Sequence, residues 1–410
     1  MKMDRPHDHG MDEARLARIA PFLEERYIGP GKLAMADVLV ARHGETVYRT
    51  TLGNARADGT PLKDDAIFRI ASMTKPITSI AFMQLVEEGK VALDDPVSRV
   101  IPEFKGLGVY NGGGGAAPFL PTSPCAPMRM VDLLSHMSGL TYGFQNRTSV
   151  DAAYRKALPD GGRDIAGNDH FVAELAKIPL EFAPGTGWNY SVSTDVLGVV
   201  VARLRGQSLG EVFAERIFAP LGMVDTGFDL PEAKRERLTD CWTYQPGKPP
   251  KLIDSAATSK LTKTATFHNG GGGLLSTTAD YDRFCRMLIG QGSLDGARIV
   301  SPKTLDLMTK NQLPGGADLT AVSKSLFSEA TNAGMGFGLG FAVNLDPAKT
   351  LIPGSAGEFF WGGLYSTAFF IDPVEKLHMV FMTQLTPSSS YPVRRQLKSL
   401  IYGAVEESYA

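Results

Sequence analysis

The chain has 410 residues and a nearly balanced charge, with 42 lysines and arginines against 44 aspartates and glutamates. This length is enough for one large domain or two ordinary ones. The charge balance excludes the strongly basic pattern that nucleic acid or an anionic membrane would require. Three cysteines, Cys125, Cys241 and Cys285, lie far apart and are odd in number, which argues against a disulfide framework and fits a reducing compartment.

The first ten residues indicate neither a signal peptide nor a membrane anchor. They are polar and lack an apolar core. No uninterrupted apolar run of the sequence reaches the roughly 18–20 residues that a membrane span requires. We therefore predict a cytoplasmic protein without a membrane partner. His7, Asp8 and His9 would hold a metal only loosely, and a polar tail is the simpler interpretation, so we expect no metal and no cofactor.

The first predicted elements are a helix and a β-hairpin. Apolar residues recur at helical spacing over residues 13–27, although Pro21 weakens this helix. Residues 36–42 and 46–52 are rich in β-branched side chains and flank a short turn at His43-Gly44-Glu45. This pattern is typical of two strands joined by a tight turn.

The stretch of residues 67–89 predicts a short strand that turns directly into a helix. Ser72 lies at the junction, at the positive end of the helix dipole, and Lys75 follows on the same face. A lysine amine beside a serine hydroxyl can take its proton if burial lowers the pKa of the amine. The pair therefore suits a nucleophile and its base. The alternative is a helix cap followed by a surface lysine.

Residues 76–266 are predicted to be mostly helices and loops, with helices at 130–136, 171–176, 195–205 and 209–218. The glycine run Gly112–Gly115 opens a loop that is either a disordered surface loop or a lid over a site. Strand patterns return near the C-terminus, with a strand at 336–343 and two strands at 366–371 and 377–384. Helices are predicted at 278–289 and 391–407.

Strands at both ends of the chain, with helices between them, predict an α/β architecture. We expect a discontinuous α/β domain formed by residues 1–75 and 267–410. Residues 76–266 would be an inserted helical domain, and a cleft between the two domains is the natural place for a site.

Five segments resemble, in order and spacing, the motifs of class C β-lactamases, their penicillin-binding relatives and the family VIII carboxylesterases. They are Phe68-Arg69-Ile70-Ala71-Ser72-Met73-Thr74-Lys75-Pro76, Leu133-Leu134-Ser135-His136-Met137-Ser138-Gly139-Leu140, Pro184-Gly185 ahead of Tyr190-Ser191, Gly271-Gly272-Gly273-Leu274-Leu275-Ser276-Thr277, and Gly336-Phe337-Gly338-Leu339-Gly340. The resemblance spans nearly the whole chain. It implies a serine β-lactamase-like fold, with an antiparallel sheet flanked by helices and an inserted, mostly helical domain.

The resemblance implies roles for three residues. Ser72 resembles the nucleophile, Lys75 its base partner, and Tyr190 the tyrosine that hydrogen-bonds the nucleophile and shuttles protons. The alternative for Tyr190 is a core aromatic with its hydroxyl tied to a backbone carbonyl. His136 is interpreted as structural, with its ring holding the Ser138-Gly139-Leu140 turn.

Two departures from the β-lactamase pattern bear on the substrate. Val192 replaces the asparagine of the Tyr-x-Asn motif, and the chain has no Lys-Thr-Gly or Lys-Ser-Gly triplet. The corresponding place is occupied by Trp361, Gly362 and Gly363, as in the family VIII esterases. A tryptophan supplies an apolar wall instead of a cation for a carboxylate. The expected substrate is therefore a neutral ester with an apolar part.

The paired glycines also predict an oxyanion hole. They would let the backbone approach the substrate closely, so that the N–H groups of Ser72 and Leu364 stabilise the developing negative charge. The alternative is a glycine-rich bulge beside a buried tryptophan. Tyr142 and Phe144, which follow the Ser-Gly-Leu turn, are predicted to line the acyl pocket.

A second serine lies in a G-x-S-x-G sequence, Gly206-Gln207-Ser208-Leu209-Gly210, which matches the nucleophile elbow of α/β-hydrolases. An elbow follows a strand, whereas this segment follows a predicted helix. Ser208 with Glu211 forms the S-x-x-E pattern of a capping box. We therefore interpret Ser208 as a helix cap.

Taken together, the sequence predicts a serine carboxylesterase that acts on a small-molecule ester, with no nucleic-acid partner and with homodimer formation left open. Three alternatives remain. The first is an acyltransferase on the same scaffold, the second a weak β-lactamase or DD-peptidase, and the third a non-catalytic ligand-binding homologue. Retention of Ser72, Lys75 and Tyr190 argues against the third.

Overall fold

The computed structural model describes residues 3–159, 165–324 and 333–410. In chain order, its strands are β1 Met35–Arg42, β2 Glu45–Gly53, β3 Phe68–Arg69, β4 Cys241–Gln245, β5 Lys248–Asp254, β6 Leu275–Ser276, β7 Ser293–Leu294, β8 Ala297–Arg298, β9 Met335–Phe337, β10 Ala342–Asn344, β11 Phe359–Gly362, β12 Ala368–Asp372, β13 Leu377–Met382 and β14 Leu385–Thr386.

The α-helices of the same residues are, in chain order, α1 Glu13–Leu16, α2 Ile19–Leu23, α3 Thr74–Glu87, α4 Met130–Leu134, α5 Ser149–Ala157, α6 Gly167–Leu175, α7 Ser193–Arg205, α8 Leu209–Phe213, α9 Ala219–Leu221, α10 Thr278–Ile289, α11 Pro302–Met308, α12 Leu319–Val322, α13 Pro347–Thr350 and α14 Val393–Tyr402.

A seven-stranded antiparallel sheet in the order β2-β1-β13-β12-β11-β10-β9 forms the centre of the fold. Its strands come from residues 35–53 and 335–382, so both ends of the chain build one sheet. Strand β1 lies beside β13, with Val38 opposite Phe381. The α/β architecture predicted from strands at both ends of the chain is confirmed.

The sheet is covered on both faces because its central strands are apolar on both sides. In β12 and β13, Phe370 and Met379 pack in a core layer with α1, α2 and α14. Their neighbours Phe369 and Val380 point to the other face and join the core that includes α3, α7 and α10. Side chains alternate between faces along a strand, so a strand buried on both faces reads as a continuous apolar run.

The single strand predicted at residues 336–343 is wrong, because this segment forms the hairpin of β9 and β10. Two glycines in the turn explain the difference. A Cβ on Gly338 would lie 2.1 Å from the carbonyl oxygen of Met308, and Gly340 has a φ of +97°. A sharp turn packed this closely against its neighbours requires glycine, which the periodicity did not reveal.

The helix predicted at 13–27 is instead broken into α1, α2 and a π-helical turn at Glu24–Ile28. Pro21 is the third residue of α2. A proline is tolerated in the first helical turn, where its missing N–H would have had no intrahelical acceptor, but it favours a new helix start over an uninterrupted helix.

Between the two halves of the sheet, the described residues form mainly helices and loops, with the short pairs β3–β6 and β7–β8. They also form the hairpin of β4 and β5, which the sequence analysis missed. Strand β5 is mostly exposed, so it lacks the alternation that marks a half-buried strand. Helix α3 is buried from Thr74 to Leu85 and packs against α7. Lys75, the second residue of this helix, is therefore buried inside the molecule.

Every helix within the described residues is too short or too polar to cross a lipid bilayer. Cys125, Cys241 and Cys285 are all free thiols.

Candidate active site

The backbone before α3 places Ser72 at the edge of a cleft. Strand β3 pairs with β6, and a 3₁₀ turn at Ala71–Met73 then leads directly into α3. Ala71 has a φ of 44°, a left-handed conformation that costs a non-glycine residue roughly 1–2 kcal/mol. Surrounding packing holds this strained turn, and Ser72 itself remains partly accessible while its neighbours are buried.

Two side chains contact the Ser72 hydroxyl. Lys75 Nζ lies 3.1 Å from Ser72 Oγ, and the Tyr190 hydroxyl lies 2.6 Å from the same oxygen. Lys75 Nζ also donates to the carbonyl oxygen of Gly271 at 2.5 Å. Lys75 and Tyr190 are each only 2% exposed, so water competes little with these contacts. The structure thus brings together the serine, the lysine and the tyrosine that the sequence analysis named.

The Lys75 ammonium lies between two aromatic rings. Its Nζ is 4.6 Å from the centroid of the Tyr190 ring and 5.3 Å from that of Tyr142. A cation over a ring face is attracted by the ring quadrupole, so both contacts favour a fixed position for the amine. In this position the amine faces Ser72 Oγ.

Two tyrosines flank Lys75, and their hydroxyls point to different partners. The Tyr142 hydroxyl donates to Asp195 Oδ2 at 3.0 Å, whereas the Tyr190 hydroxyl contacts Ser72 Oγ. Burial, together with the Asp195 carboxylate, holds the pKa of Tyr142 well above its usual value. Tyr142 therefore stays a neutral phenol, whereas the Tyr190 hydroxyl contacts Ser72 directly.

His136 is a buried residue behind this site. It is 1% exposed, and its Nδ1 lies 3.3 Å from Ser191 Oγ. Burial and the nearby Lys75 lower the pKa of His136 well below its usual value, so the ring is neutral. Its centroid lies 4.9 Å from that of Tyr190, which supports the tyrosine ring.

The segment after β11 turns sharply towards Ser72. A Cβ on Gly363 would lie 2.5 Å from the carbonyl oxygen of Ile70, so only glycine permits this approach. Leu364 follows in the turn, is 46% exposed and lines the same cleft as Ser72. Among the described residues, the backbone N–H groups of Ser72 and Leu364 have no hydrogen-bond acceptor, so both are available to a bound oxyanion.

Trp361 lies elsewhere than the sequence analysis expected. It is 2% exposed, and its ring packs against Tyr190 and Phe337, with centroid distances of 5.4 Å to each. The next residues along the chain that line the cleft are Leu364 and Tyr365. Trp361 therefore supports the Tyr190 ring from the core, because the strand alternation of β11 turns its side chain inward.

The cleft has a volume of about 1240 Å³. Tyr142 and Phe144 line it as predicted, and their rings stack with centroids 4.9 Å apart. Its walls also include Phe228, Ile253 and Asp195, which the sequence analysis did not name. Within the described chain the glycine run at residues 112–115 is not part of the lining. Long sequence separations hide the additional residues from any local pattern.

Ser208 is the N-cap of α8, as the capping-box pattern predicted. Its hydroxyl accepts from the Glu211 N–H at 3.3 Å, and the Glu211 carboxylate accepts from the Ser208 N–H at 2.8 Å. The preceding element is helix α7, which ends at Gly206, and no strand leads into the serine. The G-x-S-x-G sequence is therefore a helix start.

Replacing Ser208 with alanine should lower the free energy of unfolding by about 1 kcal/mol and leave kcat/KM for an activated ester unchanged. The cap is lost, but the cleft is untouched. Thermal unfolding and steady-state kinetics on the native chain and the variant measure both quantities. Complete loss of activity in a folded Ser208→Ala variant would contradict the helix-cap assignment.

Comparisons with known proteins identify the family of the chain. The Beta-lactamase family profile matches residues 23–402. Protein Rv1367c of Mycobacterium tuberculosis (strain ATCC 25618 / H37Rv) is 37% identical over 366 residues, which cover 88% of each chain. Esterase EstB of Burkholderia gladioli is 32% identical over 419 residues, covering 97% of this chain and 98% of EstB.

A solved structure resembles the whole molecule as well. EstCE1, described as a hydrolase with promiscuous acyltransferase activity, superposes with a TM-score of 0.79 at 25% identity, covering 95% of this chain and 99% of EstCE1. The fold, the match along nearly the whole chain and the similarity to these esterases lead to one conclusion. The chain belongs to the beta-lactamase family and, within it, to the family VIII esterase-like serine hydrolases.

Proposed function

We propose that this serine hydrolase is a carboxylesterase that cleaves small or medium neutral carboxylic esters through an acyl-enzyme on Ser72. The observation that carries the proposal is the pair of contacts at Ser72 Oγ, 3.1 Å to Lys75 and 2.6 Å to Tyr190. A hydroxyl becomes a nucleophile when a base and a proton shuttle both reach it.

In the acylation step, Ser72 Oγ attacks the ester carbonyl and gives its proton to the Lys75 amine. The bond to the leaving alkoxide breaks, and Tyr190 donates its phenolic proton to that oxygen. The site then holds an ammonium and a phenolate, which attract each other across the short distance between Lys75 and Tyr190. The alcohol leaves, and the acyl group remains on Ser72.

In the deacylation step, water attacks the acyl carbonyl and gives a proton to the Tyr190 phenolate. Lys75 returns its proton to Ser72 Oγ as the acyl–oxygen bond breaks. Both steps pass through a tetrahedral intermediate whose oxyanion accepts hydrogen bonds from the N–H groups of Ser72 and Leu364. The site is then restored and the carboxylic acid is released.

The walls of the cleft support an ester with an apolar part. Phe144, Ile253 and Leu364 line it and are 55%, 49% and 46% exposed. Exposed apolar side chains gathered in one cleft favour apolar ligand surface. The chain also lacks the lysine triplet that binds a carboxylate in β-lactamases, which supports a neutral substrate over a β-lactam.

Acyl transfer is the second candidate, because EstCE1 is described as a hydrolase with promiscuous acyltransferase activity. The chemistry differs only in the acceptor. An alcohol that attacks the acyl-enzyme takes the place of water and gives its proton to the same Tyr190 phenolate. The cleft volume of about 1240 Å³ leaves room for an acceptor beside a short acyl chain.

A series of p-nitrophenyl esters of increasing chain length tests the proposal, run with and without a competing alcohol. We expect p-nitrophenol release that depends on chain length, because the acyl group lies along an apolar wall. With alcohol present, a new ester detected by mass spectrometry would mean that the enzyme transfers the acyl group to the alcohol as well as to water. Release no faster than that of a Ser72→Ala control would contradict the esterase assignment.

A further inference from the structure

A buried carboxylate lies beside the catalytic lysine. Asp195 is in α7, five residues after Tyr190, and is 2% exposed. Its Oδ2 accepts a hydrogen bond from the Tyr142 hydroxyl at 3.0 Å. It shares the cleft lining with Ser72. None of the five motifs includes Asp195, and the reaction steps above do not use it.

Gly271 connects this carboxylate to Lys75. A Cβ on Gly271 would lie 2.2 Å from Asp195 Oδ2, so the glycine backbone rests directly on the carboxylate. The carbonyl of the same glycine accepts from Lys75 Nζ at 2.5 Å. The Gly271 loop, which accepts the hydrogen bond from the Lys75 amine, is therefore packed on the Asp195 carboxyl group. This packing fixes the position of Asp195 relative to Lys75.

The polar groups around Lys75 come from several elements. Ser72 lies on the preceding turn, Tyr142 on the loop after α4, Tyr190 before α7, and the neutral His136 after α4. Asp195 is the acidic side chain packed beside these groups. Burial raises the pKa of the Asp195 carboxyl, and Lys75 and the Tyr142 hydroxyl act against that rise by stabilising the ionised form.

We propose that Asp195 is a positioning residue that sets the pH at which the Ser72 hydroxyl is activated, by holding a negative charge beside Lys75. This inference rests on the proposed function, in which Lys75 and Tyr190 exchange the Ser72 proton. A negative charge favours the ammonium form of Lys75 and disfavours the phenolate form of Tyr190. Both effects raise the pH at which a base becomes available to Ser72.

The sign of the effect is therefore the same whichever of the two residues takes the proton first. Removing the charge of Asp195 makes the amine easier to deprotonate and the phenol more acidic. The acid limb of the pH–rate profile must then move to lower pH. A residue that only packs the site would change the rate without moving the limb.

The experiment measures the rate of Ser72 labelling by a fluorophosphonate from pH 4 to pH 10, together with kcat/KM for a p-nitrophenyl ester. Asp195→Asn keeps the shape of the side chain under Gly271 but removes the charge. We expect its acid limb to lie about one pH unit below that of the native chain. Asp195→Ala removes the charge without an amide and should shift the limb in the same direction.

Tyr142→Phe deletes the hydrogen bond to Asp195 and keeps the carboxyl group. Because that bond stabilises the ionised form of Asp195, the acid limb of Tyr142→Phe should move in the same direction as that of Asp195→Asn, and by less. Ser208→Ala is the control, since Ser208 caps α8 outside the cleft, and its limb should stay at the native pH. Equal limbs in the native chain and both Asp195 variants would overturn the proposal, as would an equal downward shift in Ser208→Ala. A native chain that the fluorophosphonate does not label at all would instead overturn the proposed function.

Discussion

Replacing Lys75 with methionine should lower kcat/KM for an activated ester by about 10³-fold. Methionine matches much of the lysine stem, so α3 keeps its packing, but Ser72 loses the amine 3.1 Å from its Oγ. Asp195 would lose its opposing charge in this variant and can take up a proton instead, which limits the loss of stability. The loss should appear in kcat and in the rate of Ser72 labelling, because the amine acts on the nucleophile.

Lys260→Met provides the control for that experiment. Lys260 lines the same cleft in the 3₁₀ turn Lys260–Thr262 but is not among the side chains that contact Ser72 Oγ. We expect its kcat/KM to stay within about threefold of the native value, because Lys260 is an exposed charge on the cleft wall. A Lys75→Met variant as active as Lys260→Met would contradict the assignment of Lys75 as the base for Ser72.

Tyr190→Phe should lower kcat by about 10²- to 10³-fold while the protein stays folded. The ring keeps its contacts with His136 at 4.9 Å and Trp361 at 5.4 Å, and only the hydroxyl at Ser72 Oγ is lost. Without that hydroxyl the leaving alkoxide has no proton donor. The effect should therefore be larger for esters of poorly leaving alcohols than for p-nitrophenyl esters.

Comparison with Tyr142→Phe separates catalysis from packing. Both changes remove one hydroxyl from an aromatic residue beside Lys75, and only one of those hydroxyls faces Ser72. Steady-state kinetics with methyl and p-nitrophenyl esters of the same acid measure the difference. Equal losses in the two variants, with no dependence on the leaving group, would mean that Tyr190 acts only through packing.

The sequence predicted the parts of this site that follow from local spacing. Ser72 and Lys75 are three residues apart at a helix start, and that spacing alone brings their side chains together. Ser208 and Glu211 likewise form their capping box within one turn. In such cases the backbone conformation of a few residues determines the contact, so a sequence pattern carries the information.

Contacts between residues far apart in the sequence were predicted only where the family resemblance implied them. Tyr190 reaches Ser72 across 118 positions, and its role came from the resemblance. Asp195 and Gly271 meet beside Lys75 without any motif that links them. Trp361 was expected on the cleft wall, but its orientation depends on the register of β11 in the sheet, which no local pattern specifies.

The same distinction holds for the fold. Helix α10 was predicted with its bounds at 278–289, and the structure shows the same bounds with Thr277 as the N-cap. Hairpin β9–β10 was predicted as one strand, because the need for glycine at 338 and 340 comes from Met308 and Ser79 on other elements. Contacts with other elements therefore determine where this turn forms, and the sequence alone shows only that glycines are present.

Covalent labelling of Ser72 decides whether the hydrolase forms an acyl-enzyme there. The native chain is incubated with a fluorophosphonate, its intact mass is measured, and the modified peptide is identified by fragmentation. We expect one label per chain on Ser72, and no label in a folded Ser72→Ala variant. Labelling that persists in Ser72→Ala, or that maps to Ser208, would contradict the claim that this hydrolase acts through an acyl-enzyme on Ser72.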